Sequence, residues 1–81
     1  MRRKLAPRPE KQVEQLVLEI AAARMKAGVS QRQLSALLGL NEVTVGRIER
    51  GVRRMSVTEF LQICTILDLS PVELLKSVLS N

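Results

Sequence analysis

The side chains of this chain that could do chemistry are suited to recognition and not to making or breaking bonds. Its 81 residues include no His and a single Cys, Cys64, and the 8 Asp and Glu offer no pair at a metal or acid–base spacing. No catalytic set assembles from such residues, so neither an enzyme nor a metal or cofactor is expected. The segment from Asn41 to Arg54 is different in kind. Arg47 can bond both acceptors of a guanine, Glu42 can accept from a cytosine amino group, Val43 can meet a thymine methyl, and Thr44 can serve a base or a phosphate. Arg47, Arg50, Arg53 and Arg54 gather positive charge around the end of the same segment. The competing assignment makes Glu42 a complement to its helix dipole and Arg47 one half of a solvated surface pair.

Such side chains need rigid elements beneath them, and Ser30 to Gly51 supplies the pattern of two short helices joined by a tight turn. Ser30 followed by Gln33 is a capping-box spacing that starts a helix. Leu34, Leu37 and Leu38 repeat at helical spacing, and Gly39 suits a left-handed helix end. Asn41 can cap the next helix, over about 41–50, with Val45 and Ile48 turned inward and Gly51 closing it. Gly46 interrupts that helix at a cost of up to about 1 kcal/mol, which points to a crowded neighbour, either another helix or a DNA backbone. Helices this short cannot bury their own apolar faces, so the remaining chain must supply a core.

The rest of the sequence can do so. Apolar residues make up 46% and aromatics 1%, a composition of aliphatics that suits helices packed on helices, with no sheet. From Pro9 to Ala27 the residues Val13, Leu16, Val17, Ile20 and Ala21 form an inward stripe that Arg24 continues, and a charge on that face needs a partner. Ser56 and Glu59 make a second capping box, opening a helix with Val57, Phe60, Leu61, Cys64 and Leu67 inward. Ser70, Pro71 and Glu73 begin a last helix carrying Leu74, Leu75, Val78 and Leu79, which either close the core or leave an apolar patch for a second subunit. Residues 1–8, MRRKLAPR, read as a flexible basic arm, either a solvated tail or a reach toward a minor groove, and 9–81 as one domain.

The balance of 13 Lys and Arg against 8 Asp and Glu, a net charge of +5, favours a polyanionic partner. One Cys cannot form an internal disulfide, and no stretch is apolar enough to span a bilayer, so a soluble cytoplasmic protein with no membrane partner is expected.

With five helices placed, the chain resembles helix-turn-helix regulators of the lambda-repressor-like group, the Cro/CI or XRE family. The residues that carry the resemblance are Arg24, Gly28, Ser30 and Gln31, Leu34, Leu38 and Gly39, Val45, Ile48, Glu49 and Gly51, then Glu59, Leu61, Leu67 and Leu74. It implies an all-α, five-helix domain with the helix-turn-helix at about 30–51, binding operator DNA through its third helix, usually as a dimer. It implies base-reading positions at Asn41, Glu42, Val43, Thr44 and Arg47. It also implies phosphate contacts from Gln31, beside Ser30, and from Arg50, Arg53 and Arg54. Ser30 and Gln31 could instead serve only their own helix. An ion pair between Arg24 and Glu49 is implied too, and Glu49 is the acid nearest the end of the recognition helix. Met55 stands where many relatives have proline.

The reading that follows is a small bacterial or phage transcription regulator, a homodimer on a near-palindromic operator, its recognition helices about 34 Å apart. If each subunit neutralises about four phosphates, the log–log salt slope would be about −7. The dimer surface would draw on Leu75, Val78 and Leu79. Within the same fold, a restriction–modification controller or a toxin–antitoxin antitoxin is the alternative, with a toxin or other regulator as protein partner. An interaction adaptor without operator specificity is the rival from another class.

Overall fold

The computed structural model describes residue 6 and residues 8–80; residues 1–5 and 7 of the basic arm, and residue 81, lie outside the described residues. Five helices follow one another: α1 (Glu10–Lys26), α2 (Gln31–Leu37), α3 (Thr44–Glu49), α4 (Val57–Leu67) and α5 (Pro71–Leu79). No strand occurs among the described residues. The all-α class expected from the aliphatic composition is the class that forms.

Local chemistry sets where the helices start. Ser30 Oγ accepts from the Gln33 amide at 3.0 Å while Gln33 Oε1 accepts from the Ser30 amide at 2.8 Å, and Ser56 and Glu59 repeat the exchange at 3.0 and 2.9 Å. Each box pairs two amides that would otherwise be orphaned. At Ser70 only half the box forms. Its Oγ accepts from the Glu73 amide at 3.2 Å, whereas the Glu73 carboxylate lies 3.8 Å from Lys76 Nζ. Gly39 and Gly51 end the two central helices at φ of +71° and +78°, where a Cβ would be strained. Asp68 ends α4 at φ +55°, a stop the apolar period did not mark, made by one of the few non-glycine types that tolerate it.

One buried cluster holds the bundle together. Ile20, Leu34, Leu38, Val45, Phe60, Ile63 and Cys64 form it, with Leu16, Val29, Leu40, Met55, Leu67 and Leu74 packed against it. α1 lies along α5 and α3, α2 along α3, and α4 along α5. A hydrogen bond from Ser77 Oγ to Glu19 Oε1, 2.9 Å long, ties α5 to α1.

Four residues expected inside lie outside. In α4 the buried stripe is Phe60, Ile63, Cys64 and half-buried Leu67, a strict helical repeat; Val57 in the first turn is 75% exposed and Leu61 faces solvent on the flank. The sequence reading chose Val57 and Leu61 and passed over Ile63. Val13 is exposed because the first turns of α1 run past the core, which begins at Leu16 and Ile20, and Leu37 is exposed on the outer flank of α2.

Candidate nucleic-acid interface

α2 has seven residues and α3 has six, so their mutual angle must be fixed by contacts. Ser35 makes the joint. Fully buried, its Oγ donates to the Gln31 carbonyl at 2.9 Å and accepts from the Val45 amide at 3.0 Å, stitching α2 to the first turn of α3. Sequence reasoning missed it; the available signal was a small hydroxyl residue on the inward face between Leu34 and Leu38.

The far end of α3 is fixed by charge. Arg24 Nε and Nη2 donate to Glu49 Oε2 and Oε1 at 2.7 and 3.0 Å, a two-pronged pair, and Arg24 Nη1 donates to the Val29 carbonyl at 2.8 Å. Gln31 Nε2 donates to the same Glu49 Oε1 at 2.8 Å. The side chains of Arg24 and Glu49 are only 9% and 12% exposed, and no buried side-chain nitrogen or oxygen among the described residues lacks a partner. α1, the start of α2 and the end of α3 therefore meet on one carboxylate. Gln31, expected at a phosphate, spends its amide nitrogen on this network.

The regular helix begins at Thr44, later than the expected 41. Asn41 Oδ1 accepts from the Val43 amide at 3.1 Å, so Asn41, Glu42 and Val43 form a turn that leads into α3. Asn41, Glu42 and Val43 are exposed, as are Arg47 and Arg50. Val43 and Arg47, four residues apart, stack on the same outer face. Thr44 does not join them: at 8% exposure it is buried, because it lies four residues before Ile48 and so belongs to the inward stripe. Arg32, which the sequence reading did not single out, donates from Nε to Glu42 Oε2 at 2.9 Å, and its Nη2 lies 2.7 Å from the same oxygen as an ion pair.

Two short helices locked at a fixed angle, with an exposed polar turn and a basic far end, correspond to a known arrangement. Residues 15–76 match the family of helix-turn-helix domains. The chain belongs to the helix-turn-helix family, in its Cro/CI or XRE branch. It is similar in structure to the restriction–modification controller protein C.AhdI from Aeromonas hydrophila, with 35% identity, a TM-score of 0.68, and coverage of 80% of this chain and 97% of that one. It shares its fold with a point mutant of the restriction–modification controller protein C.Esp1396I, at 20% identity, TM-score 0.72, and coverage of 85% and 87%. The hypothetical transcription factor NHTF from Neisseria also shares the fold, at 20% identity, TM-score 0.72, and coverage of 93% and 86%. No curated protein matches the chain. The fold is that of a DNA-binding transcription regulator, and no helix among the described residues is long and apolar enough to cross a membrane.

In this helix-turn-helix, the arginines after the recognition helix divide into two groups. Arg50 and Arg54 are exposed, and no partner for their guanidinium groups is found among the described residues. Arg53 is engaged. Its Nη1 and Nη2 donate to Glu59 Oε1 and Oε2 at 2.7 and 2.9 Å, and Nη1 also reaches the Arg54 carbonyl at 3.1 Å. Glu59 simultaneously caps α4, so Arg53 braces the connector to that helix. The Arg53 guanidinium, followed by the Ser56 amide, holds the Glu59 carboxyl down from the ordinary 4.5 to about 2.

Gly46 is buried in the recognition helix, and a Cβ there would sit 3.0 Å from Gln31 Oε1 and 3.3 Å from Arg50 Nη1. Within the protein, a side chain there would meet Gln31 of the adjacent helix and Arg50 at the end of its own. On α5, Leu75 and Leu79 are exposed together with Val72, while Val78, expected at a dimer surface, is 3% exposed inside its own subunit. Val78 falls four residues after Leu74, on the face that closes the core. Cys64 is buried there as well, and burial pushes its thiol pKa up.

Proposed function

We propose that the chain is a sequence-specific transcription regulator that binds a near-palindromic operator in double-stranded DNA as a homodimer. The turn Asn41–Val43 and the outer face of α3 enter the major groove, with Arg47 as the main base reader. Arg50 and Arg54 hold phosphates and set register, and bases set sequence choice. The observation that carries this reading is the shared carboxylate of Glu49. It anchors α3 to α1 and α2 while Asn41, Glu42, Val43 and Arg47 stay exposed. A reading head must be held rigidly to tell one base from another, and that network is the means.

Dimerisation is supported by Val72, Leu75 and Leu79, which repeat along the exposed face of α5 as a small apolar stripe. Two heads on one symmetric duplex supply the affinity that one lacks. The 35% identity to C.AhdI over 97% of its length favours a restriction–modification controller among regulators of this fold. Sedimentation of the chain, free and with a selected duplex, tests the dimer: two chains per duplex are expected, and Leu79→Glu should give monomers. A wild-type chain that binds its selected site one per duplex would contradict it. The controller reading requires that the selected site lie beside restriction and modification genes.

A further inference from the structure

We propose that Arg32 sets sequence preference through Glu42, the two forming a single reading unit beside the recognition helix. The inference rests on the DNA-binding reading above and adds a residue to it. Arg32 is the second residue of α2, and Glu42 lies in the turn before α3. Both contacts from Arg32, the Nε hydrogen bond at 2.9 Å and the Nη2 ion-pair contact at 2.7 Å, land on one oxygen, Glu42 Oε2; Oε1 holds no bond among the described residues.

The pair is too exposed to matter for folding, with side chains 76% and 58% accessible, and exposed pairs contribute little to stability. Its location gives it another use. A carboxylate on a face that meets phosphates repels them, and it serves there only by accepting from an exocyclic amino group such as that of cytosine. Arg32 answers both needs. It cancels the charge of Glu42, and by holding Oε2 with the Nε hydrogen bond and the Nη2 ion pair it orients the carboxylate so that Oε1 is the acceptor left for a base. No other bond to the Glu42 side chain is found among the described residues. Arg32 is thus a positioning residue and Glu42 the reader.

The test is selection of bound duplexes from a random pool with the wild type, Arg32→Gln, Glu42→Gln and the double variant, each checked by thermal unfolding. The wild type should prefer cytosine at one position per half-site. Arg32→Gln should flatten that position about fivefold or more, leave the other positions and the unfolding temperature unchanged, and weaken binding to every duplex because Glu42 is uncovered. Glu42→Gln should flatten the same position by weakening the cytosine duplex relative to the others, and should bind the other duplexes more tightly, with a salt slope steeper by about one per subunit as Arg32 turns to phosphate. The double variant should flatten that position no further than either single one. An Arg32→Gln protein that keeps every base preference, or loses all of them equally, overturns the inference and leaves the DNA-binding reading intact. A wild type that enriches no site overturns both.

Discussion

Removing either partner of the Arg24–Glu49 pair should destabilise the domain severely. The two side chains are 9% and 12% exposed, and breaking a pair so buried strands a charge at about 3–5 kcal/mol. A chain of 81 residues has about 4–12 kcal/mol in total, so the loss leaves a marginal fold. The two single variants should not be equal. After Glu49→Ala, Arg24 keeps only the Val29 carbonyl at 2.8 Å, whereas after Arg24→Ala, Glu49 keeps the Gln31 amide and stands nearer to solvent. Glu49→Ala should therefore cost more. Arg24→Met combined with Glu49→Met removes both charges and should lose clearly less than the sum of the single variants. Urea unfolding followed by far-ultraviolet circular dichroism gives each value. Single losses below about 1 kcal/mol, the range of an exposed pair, or a double variant that loses the full sum, would refute the reasoning.

Arg47→Ala should relax base preference at one position per half-site and cost about 1–3 kcal/mol on the preferred duplex, measured by competition binding; equal loss on every sequence would remove its reading role. Gly46→Ala gains helix propensity worth up to about 1 kcal/mol, but its Cβ would sit 3.0 Å from Gln31 Oε1, and Gln31 is held by Glu49, so the rise in unfolding temperature should fall short of the roughly 4–8 °C that propensity alone would give. The full rise would show that Gln31 gives way freely and would count against its anchoring by Glu49. Glu59, with its pKa lowered to about 2, contributes stability that is complete above its ordinary 4.5 and is lost as pH falls from there toward about 2. Glu59→Gln should be less stable than the wild type at neutral pH and lose less on acidification through that window; parallel pH profiles would count against the Arg53–Glu59 clamp.

Much of the fold could be read because its signals are local. Ser30 with Gln33 and Ser56 with Glu59 announce helix starts within four residues, and Gly39 and Gly51 announce ends, so the element order follows from neighbours in sequence. What was lost depended on distance or on phase. In α4 the choice between Val57 and Ile63 turns on where the helix meets the core, a tertiary fact that a run of seven apolar residues within eleven does not display. Thr44 looked like a reader by type, but its register with Ile48 buries it. For Arg24, an inward charge signals the need for an acid. That Gln31 would share the same carboxylate could not be read, since eighteen residues separate it from Glu49. Arg53 has a basic side chain in a basic cluster; only the fold reveals that Glu59 claims it.

The central claim is that this helix-turn-helix reads a defined operator. Selection of bound duplexes from a random pool at near-physiological salt, followed by sequencing, tests it most directly. Enrichment of a two-fold symmetric site whose half-sites lie about one helical turn apart is the expected result. Salt-sensitive binding with no enriched sequence would contradict it and would mark the basic surface as a general polyanion contact.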